Sequence, residues 1–222
     1  MNQLAKYISR NMLLRSIAAL SILGIAGMTA SAQLTLDDFS KSSPPKALKT
    51  AQSSVTSYEA LPAGSPLGAA RETVFQIGPN PYKQSSTLKI GKGICIVEGG
   101  FQIATALDII YGVTLEGVQA PLGLNLGTYS GLQLNFAGIA STESLLVIVQ
   151  VYPQSGGIYE DEVALQPTDA DTILTMPYSS FLADSGAALT QTEASNINYL
   201  LIIAEGGGTT DSFGITSFQA VN

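Results

Sequence analysis

The sequence contains no histidine, no tryptophan and only one cysteine. Without histidine there is no imidazole to act as a general base, as a metal ligand or as a member of a catalytic triad. Without tryptophan there is no indole on which a sugar ring could stack, although tyrosine can take that role. The lone Cys95 excludes an internal disulfide, and the isoleucines on either side of it predict a buried thiol.

Bases are scarce, and three of the ten lie in an N-terminal segment without acids. That segment has a basic start, a short apolar run and a small-residue end, formed by Lys6, Arg10, Arg15, Ile17–Met28 and Ala30–Ala32. This order is typical of a cleavable signal peptide, and the run is shorter than the roughly 20 apolar residues of a membrane span. We therefore expect residues 1–32 to be a signal peptide. The remaining protein is expected to be periplasmic, at the cell surface or extracellular.

The remaining 190 residues carry 7 bases and 17 acids, a net charge of −10. Nucleic acids and anionic membranes need basic surfaces, so this charge excludes both as partners. A charged fraction of 12% and a hydrophobic fraction of 45% also exclude a disordered acidic chain. No second long apolar run follows, so no membrane insertion is expected after the signal is removed. Residues 33–222 have the length of one domain.

Short β-like runs separated by Gly, Asn, Asp and Pro dominate the sequence after the signal peptide. Helix signals are limited to a short stretch at Leu189–Asn196 and one turn at Tyr178–Phe181. Many strands with almost no helix predict an all-β protein with a jelly-roll β-sandwich fold. The predicted strands are Leu34–Phe39, Glu72–Ile77, Thr87–Ile90, Ile94–Glu98, Gln102–Tyr111, Gly131–Ala137, Leu145–Tyr152, Tyr159–Gln166, Thr172–Met176, Asn198–Ala204 and Ser212–Gln219.

Between the first two predicted strands, Ser40–Leu67 is rich in Ser, Pro, Ala and Lys and lacks periodicity. This composition predicts a long surface loop near residues 40–67.

Several short motifs occur in an order that resembles the galactose-binding-domain-like jelly rolls. Similar members are bacterial secreted proteins akin to carbohydrate-binding modules and to the complex I assembly factor domain. The resemblance covers about residues 34–221, and its motifs are Asp37-Asp-Phe39, Gly68-Ala-Ala-Arg71, Leu126-Gly-Thr-Tyr-Ser-Gly-Leu132 and Thr175-Met-Pro-Tyr-Ser-Ser-Phe181.

The resemblance implies a glycan or another cell-surface polymer as the partner. Sugar-binding relatives often hold a structural calcium near the early and late strands, and Asp37 and Asp38 are the candidate ligands here, since Ca²⁺ prefers carboxylate oxygens. The alternative is that one aspartate is solvated and the other accepts hydrogen bonds in a turn. No other cofactor is expected.

Amide and tyrosine side chains on the polar phase of two predicted strands are the candidate ligand-binding residues. They are Gln133 and Asn135 on one strand, and Gln150 and Tyr152 on the next. The alternative is an ordinary hydrated sheet face, which has the same alternation of polar and apolar residues.

Carboxylates are the acid and base groups that this composition offers. Glu160-Asp-Glu162 resembles a glycosidase pair, but side chains two apart on one strand point the same way and do not flank a bond. A charged, exposed edge strand accounts for them. We therefore expect an exported, non-catalytic binding module. The alternative is a structural or protein-interaction module of the cell envelope or extracellular matrix.

Overall fold

The structure is a computed structural model that describes residues 32–140, 144–166, 171–206 and 212–222. The predicted signal peptide lies outside these ranges, apart from Ala32. Among the described residues, no helix has both the length and the apolar composition needed to cross a membrane.

Thirteen strands, one short helix and one 3₁₀ turn make up the regular structure of the described residues. The helix is α1 (Gln191–Ala194) and the 3₁₀ turn is Tyr178–Ser180. The strands are β1 (Gln33–Asp37), β2 (Ser43–Leu48), β3 (Ser54–Ala60), β4 (Ala70–Ile77), β5 (Ser86–Gly91), β6 (Ile94–Glu98), β7 (Thr105–Val113), β8 (Gly131–Ala140), β9 (Leu145–Pro153), β10 (Tyr159–Leu165), β11 (Thr172–Pro177), β12 (Ile197–Gly206) and β13 (Ser212–Val221).

The strands form two antiparallel sheets, and the chain crosses repeatedly from one to the other. Sheet A has the order β11-β8-β13-β6-β5-β2, and β1 also pairs with β13. Sheet B has the order β10-β9-β12-β7-β4-β3. The inner faces of both sheets carry the core. The fold is therefore the all-β jelly-roll sandwich that the sequence predicts.

Alternation along the strands separates the core from the two outer faces. On β8, Leu132, Leu134 and Phe136 are buried while the residues between them are half-buried. On β9, burial continues through both phases over most of the strand, as its nearly unbroken apolar sequence predicts for a central strand. Cys95 is fully buried and unpaired, and burial raises the pKa of its thiol to about 12.

The prediction of a long loop near residues 40–67 is wrong, because β2 and β3 lie within it. Both are edge strands, and an edge strand tolerates proline because one side of it needs no ladder donors. The pairing of β2 with β5 shifts register between Ser43 and Lys46, where Pro44 and Pro45 lie. The sequence of β3 does not show the usual alternation of apolar and polar residues, because Ser57 and Glu59 occupy inward-facing positions.

Two of the motifs noted in the sequence pack against each other. The backbone N–H of Tyr178 donates to the carbonyl of Ser130 at 2.8 Å. The hydroxyl of Tyr178 donates to the carbonyl of Leu126 at 3.1 Å. The 3₁₀ turn after β11 is therefore tied to the loop that precedes β8, and the motifs have a structural role in closing one end of sheet A.

Candidate binding surface on sheet B

The four predicted ligand-binding residues lie on opposite outer faces of the sandwich. Gln133 and Asn135 are on β8 of sheet A, whereas Gln150 and Tyr152 are on β9 of sheet B. The structure does not bring the two pairs together, so they cannot contact one ligand ring at the same time.

The sheet A pair belongs to a ladder of amides and hydroxyls. The side-chain N–H₂ of Gln133 donates to Asn135 at 2.9 Å and to Gln219 at 3.1 Å. Asn135 in turn donates to the hydroxyl of Ser217 at 2.8 Å, and Gln33 donates to Gln219. These side chains satisfy one another across three strands, which is the arrangement of a hydrated sheet face.

The sheet B pair forms a directed hydrogen-bond chain. The hydroxyl of Tyr152 donates to Oε1 of Gln150 at 2.6 Å. The amide of Gln150 donates to Oε2 of Glu160 at 2.6 Å. Gln150 and Glu160 are register partners on β9 and β10. Because both ends of the amide are engaged, its orientation is determined and the carboxylate of Glu160 is held in place.

A second tyrosine packs its ring against Tyr152 from the neighbouring strand. Tyr199 on β12 is the register partner of Tyr152, and their rings meet edge to face with centroids 6.4 Å apart. The ring of Tyr199 lies over Gly112 of β7, where an added Cβ would come within 2.5 Å of the ring. Glycine at this position gives the tyrosine ring space to lie against the sheet.

Apolar residues occupy the middle of the same face, and carboxylates surround them. One row across sheet B places Ile110 and Leu201 between Glu72 and Gln150. The adjacent row runs from Asp108 through two buried isoleucines to Glu162, and Glu205 lies in the next row.

We call this outer face of sheet B, with Tyr152 and Tyr199, the acidic face. Its carboxylates are Glu72, Asp108, Glu160, Glu162 and Glu205.

Burial and mutual repulsion make ionisation of these carboxyls harder. Burial, and then the charges of Glu205 and Glu72, raise the pKa of Asp108 to about 6. Burial, and then a neighbouring acid in each case, also raise the pKa of Glu205 and of Glu162. The acidic face is therefore rich in hydrogen-bond acceptors that have no counter-charge.

No base balances the acidic face among the described residues of sheet B. The only base on its strands is Arg71, whose side chain is buried in the core. Sequence reasoning missed this face, although a signal was present. Residues 93–222 contain no lysine and no arginine, and Asp108 interrupts an apolar strand.

Asp37 and Asp38 hold hydrogen bonds from the chain itself. Asp37 is buried and accepts from a guanidinium N–H of Arg71 at 2.6 Å, from Tyr111 at 2.8 Å and from the backbone N–H of Phe39 at 2.8 Å. Asp38 is exposed and accepts from the N–H of Ser40, and hydrogen bonding first to the side chain and then to the backbone of Ser40 lowers the pKa of Asp38. No group of three or more metal-ligating His, Cys, Asp or Glu side chains occurs among the described residues. The calcium site stays a prediction.

Glu160 and Glu162 lie on β10, which is an edge strand of sheet B, as predicted. Asp161, on the other phase of that strand, accepts a hydrogen bond from the hydroxyl of Ser180 at 2.5 Å. Since Glu160 and Glu162 point the same way from adjacent positions of one face, they do not flank a common bond.

Comparison with known proteins gives structural similarity only. No family model and no curated protein matches the sequence. The family 11 carbohydrate-binding module of Clostridium thermocellum, solved with a β-1,3-1,4-mixed-linked tetrasaccharide, has a TM-score of 0.43 and 10% identity, covering 87% of this chain and 98% of its own.

Two further solved structures are similar at the same level. The module TmCBM61, solved with β-1,4-galactotriose, has a TM-score of 0.33 and 7% identity over 76% of this chain and 88% of its own. The agarase AgWH50C has a TM-score of 0.46 and 8% identity over 86% of this chain, which spans only 24% of the agarase. Carbohydrate-binding modules are thus among the structures that this chain resembles. These TM-scores assign no family and no function.

Proposed function

We propose that this protein is an exported, non-catalytic module that binds a neutral glycan on the acidic face. The observation that carries the proposal is the combination of oriented acceptors and tyrosine rings on one outer sheet face. The hydrogen-bond chain from Tyr152 through Gln150 to Glu160 supplies the oriented acceptors. Tyr199 supplies an adjacent ring.

The donor and acceptor balance of the face supports a neutral glycan as the ligand. The Tyr152 hydroxyl and the Gln150 amide already donate within the chain, and the Tyr58 hydroxyl approaches Glu72 at 3.4 Å. Carboxylates only accept when ionised, so the oxygens of the five that have no donor within the chain need donors from outside. The hydroxyls of a sugar are such donors. An anionic polymer would be repelled, because like charges at short range cost free energy.

The middle of the face suits the apolar side of a sugar ring. Ile110 and Leu201 are half-buried neighbours in one row, and tyrosine combines an apolar ring with a polar tip. A pyranose has the same division between C–H faces and hydroxyl edges. Non-polar contact in the centre and acceptors at the rim therefore match one chemical class.

The test compares matched variants on the two outer faces. Tyr199→Ala removes a ring and Tyr152→Phe removes one hydroxyl on sheet B. Gln133→Ala and Asn135→Ala are the controls on sheet A, and they also test the other predicted pair. Binding is measured on a glycan array and by affinity electrophoresis in neutral polysaccharide gels, after thermal melting has shown each variant to be folded.

We expect the sheet B variants to lose about tenfold or more in affinity, equivalent to about 1.4 kcal/mol, and the sheet A variants to change by less than about twofold. Loss confined to the sheet A variants would move the site to Gln133 and Asn135. Absence of binding to every glycan by the unmodified protein would refute the glycan hypothesis.

A protein-interaction role is the second candidate, and the uncompensated charge of the acidic face favours it. A basic protein partner would be attracted by five carboxylates without a counter-ion. Salt separates the two functions: affinity for a basic partner falls between 50 and 500 mM NaCl, whereas affinity for a neutral glycan stays nearly constant. Co-purification from cell-envelope extracts at low salt, reversed at high salt, would support this alternative.

A further inference from the structure

Three loops meet at one end of the sandwich and hold two exposed aromatic rings side by side. Tyr82 is 55% exposed and Phe101 is 45% exposed. Their ring centroids are 5.4 Å apart, and the ring planes are tilted by 47°. We call residues 49–53, 78–85 and 99–104 the end loops. Exposed aromatic pairs are costly to leave in water unless they have a partner.

Hydrogen bonds make the end loops a defined scaffold. The buried side chain of Asn80 donates to the carbonyls of Lys49 and Gln84, both at 2.7 Å, and accepts from the N–H of Gln84 at 3.0 Å. The side chain of Gln84 accepts from the N–H of Phe101 at 2.8 Å. One asparagine and one glutamine therefore connect all three loops, and they fix the backbone that carries each ring.

Each exposed aromatic residue is followed by a residue in the left-handed region. Lys83 has φ of 53° and Gln102 has φ of 57°. Non-glycine residues rarely adopt this conformation, which is retained where surrounding structure imposes it and is concentrated at functional sites. The two rings are thus presented by two tight turns of the same kind.

The end loops carry positive charge without acidic residues of their own. Lys49 and Lys83 lie in them, and none of the three segments contains Asp or Glu. Glu98, the acid that directly precedes one end loop, is bound to Lys89 at 2.7 Å on the outer face of sheet A. Lys83 directly follows Tyr82, and the carbonyl of Lys49 accepts from Asn80 in the same loop as Tyr82, so both lysines belong to the loops that carry the ring pair.

We propose that the end loops form a second binding site, for an anionic sugar such as a uronic acid or a sulfated residue. The rings of Tyr82 and Phe101 stack on the C–H face of the sugar, and Lys49 and Lys83 pair with its carboxylate or sulfate. Charge complementarity favours an anionic over a neutral sugar here. This site is independent of the acidic face and does not rest on the function proposed for it.

The test uses polygalacturonate and dextran sulfate as anionic probes, and highly methyl-esterified pectin as the uncharged form of the first. Affinity electrophoresis and titration calorimetry of the full chain are carried out at 150 mM NaCl. We expect binding to at least one anionic probe, and at least about tenfold weaker binding to the esterified form.

Two kinds of variant locate the site. Lys49→Gln with Lys83→Gln and, separately, Tyr82→Ala with Phe101→Ala are each expected to lower affinity about tenfold. Lys41→Gln with Lys92→Gln makes the same charge change away from the end loops and is expected to change affinity by less than about twofold. Equal losses in the two lysine double variants would indicate diffuse charge attraction and would overturn the proposal.

Two further outcomes decide the chemistry and the separation from the acidic face. Equal binding of poly-glutamate would show that charge suffices without a sugar ring, and it would overturn the proposal. Absence of binding to both anionic probes would overturn it as well. Tyr199→Ala is expected to keep its binding of the anionic probe, so failure of one site can be distinguished from failure of the other.

Discussion

Arg71 shows at the scale of one residue how a charge is held in the core. Its side chain is fully buried, with Asp37 at 2.6 Å and Glu59 at 3.6 Å, and it lies over the ring of Phe39 at 5.1 Å. Two carboxylates face one guanidinium, so removal of the base leaves both buried without a counter-charge. The sequence contains the motifs of Asp37 and Arg71 34 residues apart, and only folding makes them an ion pair.

Arg71→Met is expected to lower the free energy of unfolding by about 3–5 kcal/mol, because a buried ion pair that loses one partner leaves uncompensated charge. Lys89→Met is the matched control, since the side chains of Lys89 and Glu98 are both half-exposed and an exposed pair contributes about 1 kcal/mol or less. Urea denaturation measures both. Similar losses in the two variants would contradict the role assigned to the buried pair.

At the scale of elements, β8 and β11 approach so closely that one position must be glycine. A Cβ on Gly131 would lie 2.6 Å from the carbonyl oxygen of Met176 and 3.0 Å from Cα of Pro177. Both contacts are with backbone, which moves only if the strand pair separates. The motif that ends at Leu132 thus needs Gly131 for close approach and not for a positive φ.

Gly131→Ala is expected to destabilise the fold by about 1–3 kcal/mol, as overpacking does. Gly78→Ala is the control, because its Cβ would meet Ala104 at 3.4 Å, which is ordinary contact. Thermal melting should show a clear decrease in Tm for the first variant and a small change for the second. Equal Tm values would mean that β8 and β11 can separate without cost.

Also at this scale, the two strands that the sequence did not predict, β2 and β3, both lie at a sheet edge. Central strands such as β9 have two buried faces and a nearly continuous apolar sequence, so they are evident from composition alone. The edge strands β2 and β3 have few apolar residues and were missed. An edge strand forms backbone hydrogen bonds to the sheet on one side only and is less buried than a central strand. Its sequence is therefore less strongly constrained to be apolar.

At the scale of the whole molecule, the lysines are confined to one part of the fold. The six lysines of residues 33–222 all precede residue 93 and lie on β2, β5 and the loops beside them, whereas the acidic face belongs to sheet B. Net charge alone suggests a uniformly acidic surface. The fold instead gives the protein an acidic side and a basic edge, and this polarity supports two sites for different ligands.

The acidic face predicts that stability falls as pH rises. The pKa of Asp108 is about 6 in the folded protein against an ordinary value of 3.8, so the folded state holds the proton more tightly. The stabilisation is complete below about pH 4 and is lost as pH rises through 6. Between these limits we expect a loss of about 1–3 kcal/mol from this group.

Urea denaturation at pH 4.5 and pH 7.5 measures this loss, and Asp108→Asn should reduce the difference between the two values. Asp184→Asn, a change at an exposed position, should leave the difference as in the unmodified protein. If Asp108→Asn retains the full difference, the repulsion on the acidic face does not act through Asp108.

The sequence by itself determined the fold class, the central strands, the burial of Cys95 and the edge position of β10, because alternation and turn residues act within a few positions of the chain. It also suggested Gln150 and Tyr152 as candidate ligand-binding residues, because they alternate with core residues along β9. Tertiary structure alone decided that Gln133 and Asn135 lie on the opposite face, that five acids meet on sheet B, and that Tyr82 and Phe101 meet at one end. Those groupings join strands and loops far apart in sequence, and pairing register, which no local pattern contains, brings them together.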